Sequence, residues 1–320
     1  MNEECIETFT EFVNSELVSQ FKNYRRSVIF GQNISAGSRI SGLGNKLEEI
    51  SGCRVINSTN SENSLIGMGF GLSLMGIPSL FLMKQHDFSL LGLDQLVNTH
   101  NVLRQGRLIA PFVILMVVVD SGFEGPQATL NSLDEYASLS KADVHLLSTK
   151  ESIESAFNQS LEPGLHLLAL GQSNMKKKLV KAISPIKFQK DVVLYQNIEM
   201  PKPTIAIVFY GVNIGIGLET ANKLKNMKIG TDLFVICKIS NSEHNADFID
   251  TLQKYSEVII IDTGKSDVHY SSKLAFHLST LQVKVKIFER TSMPTWSEVS
   301  EDSPEFDAET IATYVQSGKH

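Results

Sequence analysis

Two short stretches of this chain carry side chains that do chemistry, and both lie between Val55 and Arg104. Glu62 opens a helical run, Glu62 to Met75, whose other members are mostly apolar or glycine. A carboxylate entering an apolar helix is costly to bury unless something meets it. A bound ligand is one such partner. The positive end of the helix is another, because an acid in the first turn suits the helix dipole. Farther on comes a polar-aromatic patch, Lys84-Gln85-His86-Asp87-Phe88. His86 has the imidazole suited to moving protons near neutral pH, or to a purely local hydrogen bond. Phe88 offers a ring face for stacking on a flat ligand, or an ordinary place in a core.

These residues need elements to hold them, and the rhythm of the chain supplies an α/β pattern. Short apolar runs alternate with helical periods, as in parallel sheets covered by helices. Strands are predicted at Ser27–Phe30, Arg54–Asn57, Ser79–Met83, Phe112–Val119, Asp143–Leu147 and Leu165–Ala169. Helices are predicted between them at Ile40–Ile50, Glu62–Met75, Leu93–Gln105, Leu130–Leu139 and Lys150–Gln159. From Gln172 to Pro203 the pattern dissolves into lysines and prolines, which reads as a linker. A second set follows, with strands at Thr204–Tyr210, Asp232–Lys238, Val258–Asp262 and Val283–Phe288. Its helices are expected at Gly217–Met227, Ala246–Tyr255 and Ser271–Leu281. The expected division is 1–180, a linker at 181–203, and 204–320.

The glycines of the run after Glu62 are informative. Gly67 and Gly71 share a face, and Gly69 and Gly76 thin the run further. Each interior glycine costs roughly 0.5–1 kcal/mol relative to alanine, so several together suggest close approach of another backbone. With no polar face, this helix is expected to be buried all round, as a central helix or at a subunit interface.

Composition excludes some classes. A 320-residue chain with 42% apolar and 20% charged residues is ordinary for two globular α/β domains. A net charge of -6 and the lack of a broad basic face argue against nucleic acid. Lys176, Lys177, Lys178 and Lys181 read as a solvated linker, and the acidic Ser297–Glu309 as a solvated tail. Cys5, Cys53 and Cys237 have no metal or disulfide spacing, which suits a reducing, cytoplasmic setting. Met1 to Thr8 has acids and no apolar run, so no signal peptide is expected, and no stretch is long enough for a membrane span. Gly211, Gly215 and Gly217 form a poor dinucleotide fingerprint, and Gly171-Gln172-Ser173 lacks the second glycine of a nucleophile elbow.

Taken in order, Ser61-Glu62-Asn63 opening a glycine-rich helix, the loop bearing Phe88, and Leu93-Asp94-Gln95-Leu96 resemble the pyrimidine-binding domain of thiamine-diphosphate enzymes. The likeness is to the beta subunits of 2-oxo acid dehydrogenase decarboxylase components, with transketolases and deoxyxylulose-phosphate synthases as near kin. Thr204–Gly211 and Glu257–Asp262 are similar to two marker strands of the transketolase C-terminal domain, and Ser292-Met293-Pro294 falls at that family's last loop. The likeness runs from Ser27 to the C-terminus and rests on order and spacing rather than on one motif.

The resemblance implies an α/β fold of two doubly wound domains, one pyrimidine-binding and one transketolase C-terminal-like. It implies thiamine diphosphate as cofactor, with Glu62 hydrogen-bonded to ring nitrogen N1′ so that the pyrimidine can act as a base. Phe88 would stack on that ring. The family's Gly-Asp-Gly and Asn-Asn segments for diphosphate and Mg2+ are missing from this sequence. An alpha-type partner is therefore expected to hold the Mg2+ and diphosphate, in an alpha2beta2 heterotetramer. At Gly125-Pro126-Gln127-Ala128 the chain has alanine where the family has histidine. That puts acyl transfer to a lipoyl domain in doubt and leaves His86 as the nearest replacement. The expected activity is transferase or lyase chemistry on a small carbonyl substrate, a 2-oxo acid or a ketol donor. A true dehydrogenase beta subunit and a non-catalytic assembly or regulatory subunit are the alternatives.

Overall fold

The computed structural model describes residues 7–103, 107–121, 131–179, 185–189, 191–196, 203–240, 246–265, 268–289 and 306–318. The stretches 125–128 and 292–294 and residue Cys5 lie outside them, as do Lys181 and most of the acidic tail. The chain opens with α1 (Phe9–Lys22), followed by β1 (Ser27–Gly31), β2 (Cys53–Asn57), α2 (Glu62–Leu74) and β3 (Ser79–Met83). Then come α3 (His100–Leu103), β4 (Pro111–Val118), α4 (Leu133–Ser140), β5 (Val144–Leu147), α5 (Lys150–Gln159) and β6 (Gly164–Gly171). These six strands pair in parallel in the order β5-β6-β4-β3-β1-β2. Every residue of β3 and β4 is buried, as expected of strands covered on both faces.

The second half adds β7 (Pro185–Gln189), β8 (Val192–Gln196), β9 (Ile205–Tyr210), α6 (Gly215–Asn226), β10 (Thr231–Ile236) and β11 (Lys238–Ile239). It closes with α7 (Ala246–Leu252), β12 (Glu257–Asp262), α8 (Tyr270–Thr280), β13 (Lys284–Phe288) and α9 (Ala308–Ser317). Its sheet runs β13-β12-β9-β10-β8-β7, parallel from β13 to β10 and antiparallel through β8 and β7.

Several sequence expectations need correction. Residues within the predicted linker form the β7–β8 hairpin, because Val192, Val193, Leu194 and Tyr195 bury their side chains on the second sheet. The predicted strand over Asp232–Lys238 divides: β10 stays in the second sheet, while β11 pairs antiparallel with β5 of the first. The predicted helix over Ile40–Ile50 is instead a coil with positive φ at Arg39, Ile40, Ser41, Gly42 and Lys46. Only a 3-10 turn forms there, at Leu47–Glu49. Ahead of Ser27, α1 forms where no helix is predicted. Its Thr8–Glu11 capping box satisfies the first turn, and Phe9, Phe12, Val13, Leu17 and Phe21 are buried. Gly217 would press a Cβ to 3.2 Å from the Phe209 ring, so this glycine serves helix–strand packing.

The halves are joined by polar contacts as well as by β11. Asn174 Nδ2 donates to Val212 O at 2.7 Å, and Asn213 Nδ2 donates to Ser173 Oγ at 2.7 Å. Among the described residues, no helix is long and apolar enough to cross a membrane. Cys53 and Cys237 are free thiols.

Candidate functional site

The strand order reverses where the candidate residues lie. β2 sits on one side of β1 and β3 on the other, so the chain reverses its winding at β1. Ligands of open parallel sheets bind beyond the carboxyl ends of the strands at such a reversal. Gln32 follows the end of β1, Glu62 follows β2, and His86 and Phe88 follow β3. All of the predicted site residues therefore stand on the same edge of one sheet.

Glu62 is only 2% exposed, at the N-terminus of α2. Ser61, the N-cap residue, makes no side-chain cap bond, so the helix dipole is directed at this corner without a hydroxyl in between. Gln32 Nε2 donates to Glu62 Oε1 at 2.9 Å. Gln32 is itself placed by its surroundings. Ile34 N donates to Asn57 Oδ1 at 3.0 Å, and Ser58 N donates to Gly31 O at 2.8 Å, which ties the β1 and β2 exits together. Gly31 allows the approach to β3, since a Cβ there would meet Leu82 O at 2.3 Å. Among the described residues no cation forms an ion pair with Glu62.

The segment after β3 is a 3-10 helix over His86–Gly92, then a π-turn over Gln95–Thr99, then α3. The helix predicted over Leu93–Gln105 forms through Leu103, the last described residue before 107, with one π-helical turn at Gln95–Thr99 inside it. Gly92 lets this segment lie against α2, where a Cβ would meet Ile66 Cδ1 at 2.3 Å and Glu62 O at 3.3 Å. The π-turn aims Gln95 at α2, with Nε2 3.4 Å from Asn63 Oδ1. Phe88 is half-buried and packs on the core cluster that contains Ile66 and Leu96.

His86 is placed differently. It is 0% exposed, its ring meets Tyr136 edge-on at 4.5 Å, and Nδ1 lies 3.3 Å from Ser89 Oγ. Burial pushes its pKa down from 6.5 to about 4, against an opposing interaction in which the ring donates toward the Ser132 backbone. At neutral pH it is an uncharged ring inside the chain.

The α2 helix is not buried all round. Glu62, Leu65, Ile66, Gly69, Phe70 and Ser73 face inward, while Asn63, Ser64, Gly71, Leu74 and Met75 are exposed. Gly69 is required by the Phe112 ring, whereas nothing lies within 4 Å of a Cβ at Gly71. Leu90, Leu91 and Val102 add exposed apolar surface on the segments that follow β3.

No family model matches the sequence, and no curated protein does. A solved structure does match: a split-gene transketolase described as an inactive beta4 tetramer, at 14% identity and TM-score 0.66, covering 97% of each chain. The fold is transketolase-like. That agrees with the two-domain α/β architecture expected from the sequence, and at this identity the match speaks for fold alone.

Sequence reasoning singles out Glu62 and Phe88 and places Asn63 and Gln95 within the motifs it quotes, but does not single out Gln32. The signal for Gln32 was its place just past a strand ending in glycine, which identifies it only once the strand order is known.

Proposed function

We propose that this chain is the beta-type half of a two-component thiamine-diphosphate enzyme acting on small carbonyl substrates in the cytosol. The observation that carries this reading is Glu62: a carboxylate 2% exposed, at the carboxyl edge of a parallel sheet, answered by the neutral amide of Gln32. A buried acid held this way fits a ligand that shares a proton with it better than a structural ion pair does. When bound, thiamine diphosphate supplies an electron sink for breaking or forming the bond beside a carbonyl. Gln32 fixes the orientation of the carboxyl group through Oε1. Glu62 then holds a proton at N1′ of the pyrimidine, in surroundings dry enough to strengthen that bond. Phe88, half-buried on the core, lends its ring face to the pyrimidine.

Residues 1–180 serve as the pyrimidine-binding half and 204–320 as the C-terminal half. The exposed face of α2, with Gly71, Leu74 and Met75, together with Leu90 and Leu91, receives a second polypeptide. That polypeptide is an alpha-type subunit carrying Mg2+ and the diphosphate site, in an alpha2beta2 assembly. Without it, this chain self-associates, in line with the beta4 tetramer of the matched structure.

The test is Glu62→Gln in the complex co-expressed with the alpha-type partner, assayed for 2-oxo acid consumption and product mass. Turnover should fall about 10²-fold or more with assembly intact. Unchanged turnover rejects Glu62 as the activating acid. A second reading, a non-catalytic assembly subunit, is favoured by one observation. The nearest candidate acid–base group, His86, is sealed inside the chain and held neutral. Absence of turnover in a fully assembled, cofactor-loaded complex supports that reading.

A further inference from the structure

Away from Glu62, three ionisable side chains meet where the two sheets adjoin. They are Asp134 in the first turn of α4, Asp262 at the end of β12, and His269 at the N-cap of α8. All three are buried, and one ligand-type atom from each lies within 4.8 Å of the others. His269 Nδ1 is 3.2 Å from Asp262 Oδ2 and 3.9 Å from Asp134 Oδ2. Yet these groups do not complete one another. Asp134 Oδ1 and His269 Nδ1 lack an aligned hydrogen-bond partner among the described residues, although both are shut away from solvent. Asp262 is the anchored member. Gly264 N donates to its Oδ1 at 2.9 Å, and Ser271 Oγ donates to its Oδ2 at 2.5 Å. A small, partly open cavity adjoins the cluster, lined by Asn131, Asp134, Tyr210, Gly211 and Asp262.

Two carboxylates and an imidazole held this close in a buried setting need a cation or shared protons between them, and one divalent cation beside a neutral imidazole neutralises both carboxylates. Two carboxylate oxygens and one imidazole nitrogen form a donor set suited to Zn2+, Mn2+ or Co2+. The cavity has room for about one water molecule to join the coordination.

We propose that Asp134, Asp262 and His269 bind one divalent transition-metal ion that clips the second half of the chain onto the first. Asp134 belongs to the helix after β4 of the first sheet, and the other two belong to the second half. Binding therefore stabilises their junction, independently of any ligand at Glu62.

The test uses the tag-free full chain, stripped with chelator and titrated separately with Zn2+ and Co2+ at pH 7.5. One equivalent should bind per chain, with a visible Co2+ absorption band. The unfolding midpoint should rise by about 4 °C at a hundredfold excess over Kd. Asp134→Asn and His269→Gln, each checked for folding by circular dichroism, should each weaken binding at least tenfold. Folded wild-type chain that takes up no metal overturns the proposal and leaves a shared proton as the resolution of the charge. Binding that survives both substitutions also overturns it.

Discussion

Gly69 and Gly71 lie two residues apart on α2, and the packing gives them opposite roles, so replacing each by alanine is a sharp test of that packing. A Cβ at Gly69 would fall 2.1, 2.2 and 2.6 Å from three atoms of the Phe112 ring. That ring cannot swing away, being fully buried with Phe70 edge-on at 5.3 Å and Phe30 at 6.4 Å. Forcing a methyl group into such a core costs about 1–3 kcal/mol. Against this, alanine gains about 1 kcal/mol over glycine inside a helix. At Gly71 nothing lies within 4 Å of the added methyl, so only the helical gain remains. The helical term is common to both variants and cancels in their difference. Gly71→Ala should therefore exceed Gly69→Ala in stability by about 1–3 kcal/mol. Urea unfolding of the free chain followed by circular dichroism reads this as a shift in midpoint at constant slope. Equal midpoints, or a Gly71→Ala chain less stable than wild type, would refute the packing described for α2. The same Gly71→Ala change should weaken assembly with the alpha-type partner, since the methyl group occupies the face proposed to receive it.

Two further outcomes follow from buried charges. His86, with a pKa lowered from 6.5 to about 4, binds its proton later in the folded chain than in the unfolded one. Between those values the unfolded state holds more protons, so stability falls as pH drops from 6.5 toward 4, by about 3 kcal/mol in full. His86→Leu should flatten that slope in urea midpoints measured at pH 7 and pH 5, and an unchanged slope would discount the burial. Lys238 Nζ lies 3.2 Å from Asp143 Oδ2 and 3.1 Å from Asp191 Oδ2, joining the first half to the β7–β8 turn. Lys238→Met should cost about 1–3 kcal/mol, because it leaves two acids facing each other, with the loss softened by their partial exposure. A thermal midpoint within error of wild type at low salt would show the pair of bridges to be idle.

Much of the fold is legible from local pattern. The fully apolar Pro111–Val118 run and the Val258–Ile261 run announce central strands, and Glu62 opening a helix of glycines and aliphatics announces α2. The Thr8–Glu11 capping box was equally readable and marks α1. The failures share a cause. Ile40 to Ile50 has helical composition, but the chain must double back there under β1. Gly44 packs so tightly that a Cβ would touch Ile34 O at 2.1 Å. Val192 to Tyr195 sits among lysines and prolines and becomes strand only because β10 offers an open edge.

The sequence by itself determined most of the strands and helices, because side-chain periodicity and capping act within a few residues. It also determined that Glu62 would enter an apolar helix. Only the tertiary structure decided what that acid meets. Gln32 is 30 positions away and reaches Glu62 because β1 lies beside β2 at the point where the sheet reverses its winding. Tertiary packing likewise sealed His86 against Tyr136 and drew Asp134 to Asp262 and His269 across the junction. Pairings of this kind depend on strand order, which balances burial over the whole chain and leaves no mark in the residues on either side.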